Sequence, residues 1–233
     1  MFDTSRGDNR GANATQLGLP LTVAHTYESS GVVYTKPWVV DLILDLAGYV
    51  ADKDLAAARA VEPAAGVGAF VIPMVRRLLA SCRRHGRPVL DCRDALCVYE
   101  LDPVSAASLN KMVIEALRGE SVSADDAATL ARGWIRRGDY LLDALTLPHA
   151  DYVLGNPPYV RLEEMDDTAV SIYRTHYHTM TGRADLYIAF FEAAVVGHGI
   201  WLSGTFDAAD FNYRPFFTSS GALSLMTLTP LVC

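Results

Sequence analysis

Positive charge is in short supply in this sequence. Its 20 lysines and arginines are outnumbered by 27 aspartates and glutamates, for a net charge of −7. Neutralising phosphates with Lys and Arg is what gives nucleic-acid clamps their affinity, so the whole chain is not such a clamp. If it meets nucleic acid, most phosphate contacts lie elsewhere. Local basic groups exist at Arg83, Arg84 and Arg87 and at Arg136 and Arg137 beside Trp134, and a solvated surface explains them at least as well as DNA. No apolar run approaches the roughly 20 residues of a membrane span. The polar stretch from Asp3 to Gln16 has neither the charge nor the apolar core of a signal peptide. A cytoplasmic protein with no membrane partner is expected. Cysteine is scarce too. Cys82, Cys92, Cys97 and Cys233 lack close metal-type pairs and a histidine pair at finger spacing, which leaves reduced structural thiols and no metal site. His176 and His178 alternate on what reads as a loop or short strand, without carboxylate or thiol companions, and take no role.

What is present is apolar and ordered. Hydrophobic residues make up 51% of the 233, enough to bury a core of one large domain or slightly less. After a polar leader over 1–30, Thr35 is placed to cap and Pro37 to open a helix with Val39, Val40, Ile43, Leu44 and Ala47 at helical spacing. A short apolar strand at 58–62 then runs into Pro63-Ala-Ala-Gly66-Val-Gly68-Ala-Phe70, a tight turn opening a helix with Val71, Met74, Val75, Leu78 and Leu79 on one face. The strand Cys97-Val-Tyr-Glu100-Leu repeats the theme, Asp102 and Pro103 capping a helix that carries Leu109, Met112, Val113 and Leu117. A short helix near 123–132, a strand ending at Gly138-Asp139-Tyr140, a strand from Tyr152 to Gly155, a nearly all-apolar helix from Ala184 to Val196 and a strand from Gly199 to Ser203 follow. Alternating strands and helices imply an α/β fold with a doubly wound parallel sheet.

In such sheets ligands bind at the carboxyl ends of the strands, where the glycine loop, Glu100, Asp139 and Asn156 all fall. The loop alone is weak evidence, because Gly-x-Gly after a strand also suits nicotinamide or flavin dinucleotides, or a plain tight corner. Its third glycine is missing, and Glu62 at the strand end repels a pyrophosphate but suits an ammonium group. A cationic cofactor is favoured. Glu100 is placed to accept from two ribose hydroxyls and Asp139 from an adenine amino group. At residues 153–159 the strand Val-Leu-Gly enters Asn156-Pro157-Pro158-Tyr159. Consecutive prolines hold the chain extended with carbonyls that no neighbouring amide claims, Asn156 adds a side-chain oxygen, and Tyr159 supplies a flat face. Such a corner suits a planar group bearing an amine, such as a nucleobase.

Taken in order, Tyr34-Thr35-Lys36-Pro37, the run Glu62 to Phe70, Glu100-Leu101-Asp102, Gly138-Asp139-Tyr140, Asn156-Pro157-Pro158-Tyr159-Val160-Arg161 and Arg183-Ala-Asp185-Leu-Tyr187-Ile-Ala-Phe-Phe191-Glu192 resemble the motifs of N6-adenine-specific DNA methyltransferases. The resemblance spans 31 to about 205. The Tyr-Thr-x-Pro element before the glycine loop is similar to the gamma-type arrangement of large restriction-modification and phage-defence enzymes. The resemblance implies a Rossmann-like S-adenosylmethionine-dependent fold, with cofactor contacts from Tyr34, Thr35, Glu62, Ala64, Gly66, Gly68, Phe70, Glu100, Leu101, Asp139 and Tyr140. It implies catalysis by Asn156, Pro157, Pro158 and Tyr159 on an adenine flipped from double-stranded DNA. The Asn-Pro-Pro-Tyr corner also resembles that of release-factor glutamine methyltransferases and ribosomal-RNA guanine N2-methyltransferases. Protein-glutamine or RNA methylation, or an inactive fragment, therefore remain as alternatives.

The family's fold continues through a further helix, a strand pair and a target-recognition domain. Here Pro215 to Cys233 has no charged residue and no clear period. The resemblance thus implies a catalytic domain over 31–205 with an atypical 206–233 tail that reads as non-native, a sheet incomplete at its C-terminal strands, and a recognition domain for which a partner is one source.

Overall fold

The computed structural model describes residues 35–197, together with the backbone of three short strands beyond them. Four parallel strands form its centre: β1 (Ala60–Glu62), β2 (Leu96–Glu100), β3 (Ile135–Arg137) and β4 (Tyr152–Leu154). The backbone strands β5 (Trp201–Gly204), β6 (Arg214–Pro215) and β7 (Met226–Leu228) extend the sheet to the order β3-β2-β1-β4-β5-β7-β6, with only the β6–β7 pair antiparallel. Where an incomplete sheet is expected, the backbone thus carries two strands of two and three residues; most of the 206–233 stretch lies outside the described residues.

Strand alternation builds two cores. Ala60, Leu96, Val98, Tyr152 and Leu154 face one side, where α1 (Pro37–Leu46), α2 (Val71–His85), α3 (Pro103–Gly119) and α4 (Ala124–Trp134) pack. Val61, Cys97, Tyr99 and Val153 face the other, covered by α5 (Tyr140–Asp143), α6 (Asp167–His176) and α7 (Leu186–Gly197). Successive side chains on a strand point to opposite faces, so a strand buried on both sides reads as one apolar run. All five residues of β2 are buried. The chain winds outward from β1 to β3 and then restarts at β4 on the other flank, so the order reverses between β1 and β4. Right-handed crossovers in opposite directions put helices on opposite faces, and the reversal opens a crevice at the strand ends.

Most elements form where periodicity and caps place them. Pro37 opens α1, Asp102 caps α3 by accepting the Ser105 amide at 2.7 Å, and the buried face of α2 includes Val71, Met74, Val75, Leu78 and Leu79. Three local expectations need correction. The N-cap of α1 is Lys36, with no side-chain cap bond, and the Thr35 hydroxyl one residue earlier accepts from Asn156 instead. His176 is the last residue of α6 and not part of a loop or strand; Asp166 caps that helix, and Ala169, Val170 and Tyr173 supply its buried face. Met112 is only partly buried on α3. The basic groups behave as a solvated surface: Arg83 pairs with Glu120 at 2.9 Å, Arg84 with Asp52 at 3.3 Å, and Arg87 with Asp54. Such exposed pairs contribute at most about 1 kcal/mol each.

Candidate active site at the strand ends

The carboxyl ends of β1, β2, β3 and β4 converge as parallel pairing requires, and each delivers a polar side chain. Glu62 ends β1 and is 1% exposed. Its Oε1 accepts the Ala64 amide at 3.2 Å, and its Oε2 is buried with no hydrogen-bond partner among the described residues. Burial pushes the Glu62 carboxyl well up, against the pull of the Ala64 amide, and the Glu100 charge adds to the rise. Leaving a buried carboxylate oxygen unpaired is costly, and a proton or a hydrogen-bond donor such as an ammonium group relieves it.

Glu100 ends β2 and locks the glycine loop. Its Oε2 accepts the Gly66 amide at 2.6 Å and its Oε1 the Asp102 amide at 2.8 Å, while Ala65 donates to the Tyr99 carbonyl at 2.9 Å. Burial raises its carboxyl too, opposed by those amides. Gly66 and Gly68 hold φ of +52° and +82°, the left-handed region that glycine enters without penalty. At Gly68 the space is closed as well, since a Cβ there would lie 2.7 Å from Leu109 Cδ1. Leu101 and Ala64 flank these carboxylates, half-buried.

Asp139 follows β3. Its Oδ1 caps α5 through the Leu141 amide at 2.9 Å, and its Oδ2 accepts the Tyr173 hydroxyl. Burial raises its carboxyl, with the Tyr173 and Leu141 bonds pulling the other way.

After β4 the chain passes through Gly155 into Asn156-Pro157-Pro158-Tyr159. Asn156 donates from Nδ2 to the Thr35 hydroxyl at 3.2 Å, across 121 positions of sequence. The backbone just past the corner pairs with the segment leading into α7: Arg161 and Asp185 form an antiparallel bridge, and the Leu186 amide donates to the Val160 carbonyl at 2.8 Å. This brings Tyr187 beside Tyr159, ring centroids 5.5 Å apart, with Phe191 behind Tyr187 at 5.8 Å.

The structure therefore gathers Thr35, Glu62, Ala64, Gly66, Gly68, Glu100, Leu101, Asp139 and the Asn156–Tyr159 corner along one edge of the sheet. Two expected contacts sit elsewhere. Phe70 is 3% exposed in the core beside α2, and Tyr140 is 2% exposed in the opposite core, stacked 5.7 Å from Phe190. Tyr34 lies outside the described residues. Among the described residues no group of three or more His, Cys, Asp or Glu could hold a metal ion, and no helix is long and apolar enough to cross a membrane.

One positioning residue escapes a sequence reading. Gly155 faces β1, and a Cβ there would run into Glu62 Oε1 and come within 3.0 Å of Pro63 Cδ. Glycine just after β4 makes the room in which the Glu62 carboxylate sits. The signal lay in the Val-Leu-Gly-Asn run, but its partner is on another strand.

A reversed parallel sheet of this order, with acidic strand ends and a glycine loop on one edge, has the Rossmann-like methyltransferase fold. Residues 148–196, which contain the Asn-Pro-Pro-Tyr corner and most of α7, match the Eco57I restriction-modification methylase family. The chain is 41% identical over 171 residues to the Type II methyltransferase M.PaeR7I of Pseudomonas aeruginosa, covering 72% of this chain and 30% of that protein. It is 38% identical over 170 residues to M.XhoI of Xanthomonas vasicola, covering 71% and 31%, and 37% identical over 179 residues to M.BstVI of Geobacillus stearothermophilus, covering 74% and 32%. The chain is thus homologous to Type II restriction-modification methyltransferases over most of its own length, and spans about a third of theirs.

Proposed function

We propose that this chain forms the cofactor-binding and catalytic part of a site-specific DNA adenine N6-methyltransferase of a restriction-modification or related defence system. The observation that carries it is the seating of the Asn156–Tyr159 corner beside three acidic strand ends. The homology to Type II methyltransferases supports the same reading.

S-adenosylmethionine, when bound, supplies an electrophilic methyl group. Glu62, with its unpartnered buried oxygen, would face the amino group of the methionine part, and Thr35 its carboxylate. Glu100 would take ribose hydroxyls and Asp139 the adenine edge. Gly66 and Gly68 let backbone approach closely. A target adenine inside a duplex must leave the stack before its amino group is reachable. Tyr159, backed by Tyr187, offers the replacement stacking surface, worth roughly 1–3 kcal/mol. The Asn156 side-chain oxygen and the Pro157 carbonyl would accept the two amino hydrogens and stabilise the positive charge that grows on nitrogen. No strong base is needed. The N-terminal element also enters the chemistry here: the Asn156–Thr35 hydrogen bond links the carboxylate end of the cofactor site to the target corner.

The test is transfer of a labelled methyl group from S-adenosylmethionine to adenine-containing duplex DNA, read out as N6-methyladenine. Label in the DNA, lost in Asn156→Ala, supports the proposal. Label appearing instead in a glutamine peptide or an RNA would replace it with one of those substrates.

A further inference from the structure

Helix α6 and the residue that caps it each send a phenol toward α5. Tyr173 lies in the last turns of α6 and Tyr177 is the extended residue that caps it, its amide donating to the Tyr173 carbonyl at 2.8 Å; both rings are buried, at 5% and 2% exposure. Tyr177 donates its hydroxyl to the backbone carbonyl of Leu141. Tyr173 donates to Oδ2 of Asp139, whose Oδ1 already accepts the Leu141 amide. The Asp139 carboxylate is therefore held at both oxygens, at one by its own helix and at the other by an element that lies between the Asn-Pro-Pro-Tyr corner and α7.

A carboxylate offers about four lone-pair positions. With one oxygen fixed by helix capping and the other by a phenol, side-chain rotation is blocked, and the remaining acceptor direction is set. We propose that Tyr173 is a positioning residue: its hydroxyl orients the Asp139 carboxylate so that the site accepts a nucleoside carrying an exocyclic amino donor and disfavours one carrying a keto oxygen. The proposal rests on the reading of Asp139 as the acceptor for the cofactor's adenine edge. It adds a residue, from a helix outside the recognised motifs, that sets base selectivity. A keto oxygen facing the carboxylate puts two acceptors together with no donor between them, an arrangement that binding sites reject strongly.

Tyr177 is a control supplied by the fold. It caps the same helix and donates its hydroxyl to the neighbouring helix α5, to the Leu141 backbone carbonyl where Tyr173 meets the Asp139 carboxylate. The experiment is calorimetric titration of S-adenosylhomocysteine and of its hypoxanthine counterpart, S-inosylhomocysteine, into the wild-type chain and into Tyr173→Phe, Tyr177→Phe and Asp139→Ala. The wild type is expected to prefer the adenine compound by about tenfold or more, the size of one charge-assisted hydrogen bond. Tyr173→Phe should narrow that preference several-fold while keeping the fold, and Tyr177→Phe should leave it unchanged. The proposal is overturned if Tyr173→Phe weakens both compounds equally, or changes neither, while Asp139→Ala still removes the preference. If Asp139→Ala itself leaves the preference intact, or if the wild type binds neither compound, the reading of Asp139 beneath the proposal fails with it.

Discussion

The two halves of the crevice are held together differently. On the cofactor side, Glu62 and Asp139 each accept a backbone amide two positions on, and Glu100 accepts the amides of Asp102 and of the glycine loop beside it. On the target side, Asn156 is engaged by Thr35 from before α1, and Tyr159 lies against Tyr187 through a single backbone bridge. The first half has a local backbone amide on every carboxylate, with Gly66 and Tyr173 adding contacts across 34 positions. The second depends on segments far apart in sequence docking correctly. The carboxylates differ too, since burial raises all three on the cofactor side. That half stores an electrostatic cost which a donor-rich cation relieves, and the target side relies on neutral acceptors and a ring. Cofactor binding should therefore survive changes that abolish methyl transfer.

The largest effect is expected from separating the halves. Asn156→Ala should lower methyl transfer about 10²–10³-fold, the cost of losing one preorganised polar group at a developing charge, with S-adenosylmethionine affinity much less changed. Single-turnover methylation alongside a binding titration measures both; equal losses in the two would merge the halves that the geometry separates. A smaller effect should come from the seam between them. Gly155→Ala drives a methyl group into Glu62 Oε1 and against Pro63, and overpacking of that kind costs about 1–3 kcal/mol. Urea denaturation should show a lowered midpoint, and cofactor binding should weaken because Glu62 is displaced; a variant as stable as wild type with full affinity removes Gly155 from the account.

The smallest effect is a pH dependence. Glu62 has a folded pKa raised above its ordinary 4.5, so between 4.5 and the raised value the folded cofactor-free chain keeps a proton that the unfolded chain releases. With more protons bound in the native state, stability falls as pH rises through that window, by at most about 1.4 kcal/mol per pH unit for one group. Glu62→Gln, which holds no charge to desolvate, should flatten that slope and lose cofactor affinity. An unchanged slope would mean that the orphan oxygen carries no such cost.

Much of the cofactor half was legible because its signals are local. Glu62, Asp102 and Asp139 each cap an amide two or three residues on, Glu100 does the same at Asp102, and the helical spacings of α1 to α3 are local too, although Glu100 also reaches Gly66 and Asp139 also meets Tyr173, each 34 positions away. What stayed hidden is long-range. Thr35 has the chemistry of a helix cap, and only a contact 121 positions away turns it toward Asn156. Gly155 looks like an ordinary strand-end glycine until β1 brings Glu62 against it. Helix α6 carries its signals in Asp166 and in the spacing of Ala169, Val170 and Tyr173, while His176 and His178, two apart at its end, have the alternation of a loop or strand. Phe70 and Tyr140 adjoin binding motifs in sequence and point into the two cores, because alternation and helical phase separate neighbours in the chain.

The central claim is that the strand ends already form a cofactor site in this chain, and calorimetric titration of S-adenosylmethionine into wild type and Glu100→Ala tests it most directly. Saturable one-site binding, weakened about 10–100-fold in Glu100→Ala as expected for lost charge-assisted hydrogen bonds, is the predicted result. A folded wild-type chain that takes up no S-adenosylmethionine, or a Glu100→Ala variant that binds as tightly as wild type, would contradict it.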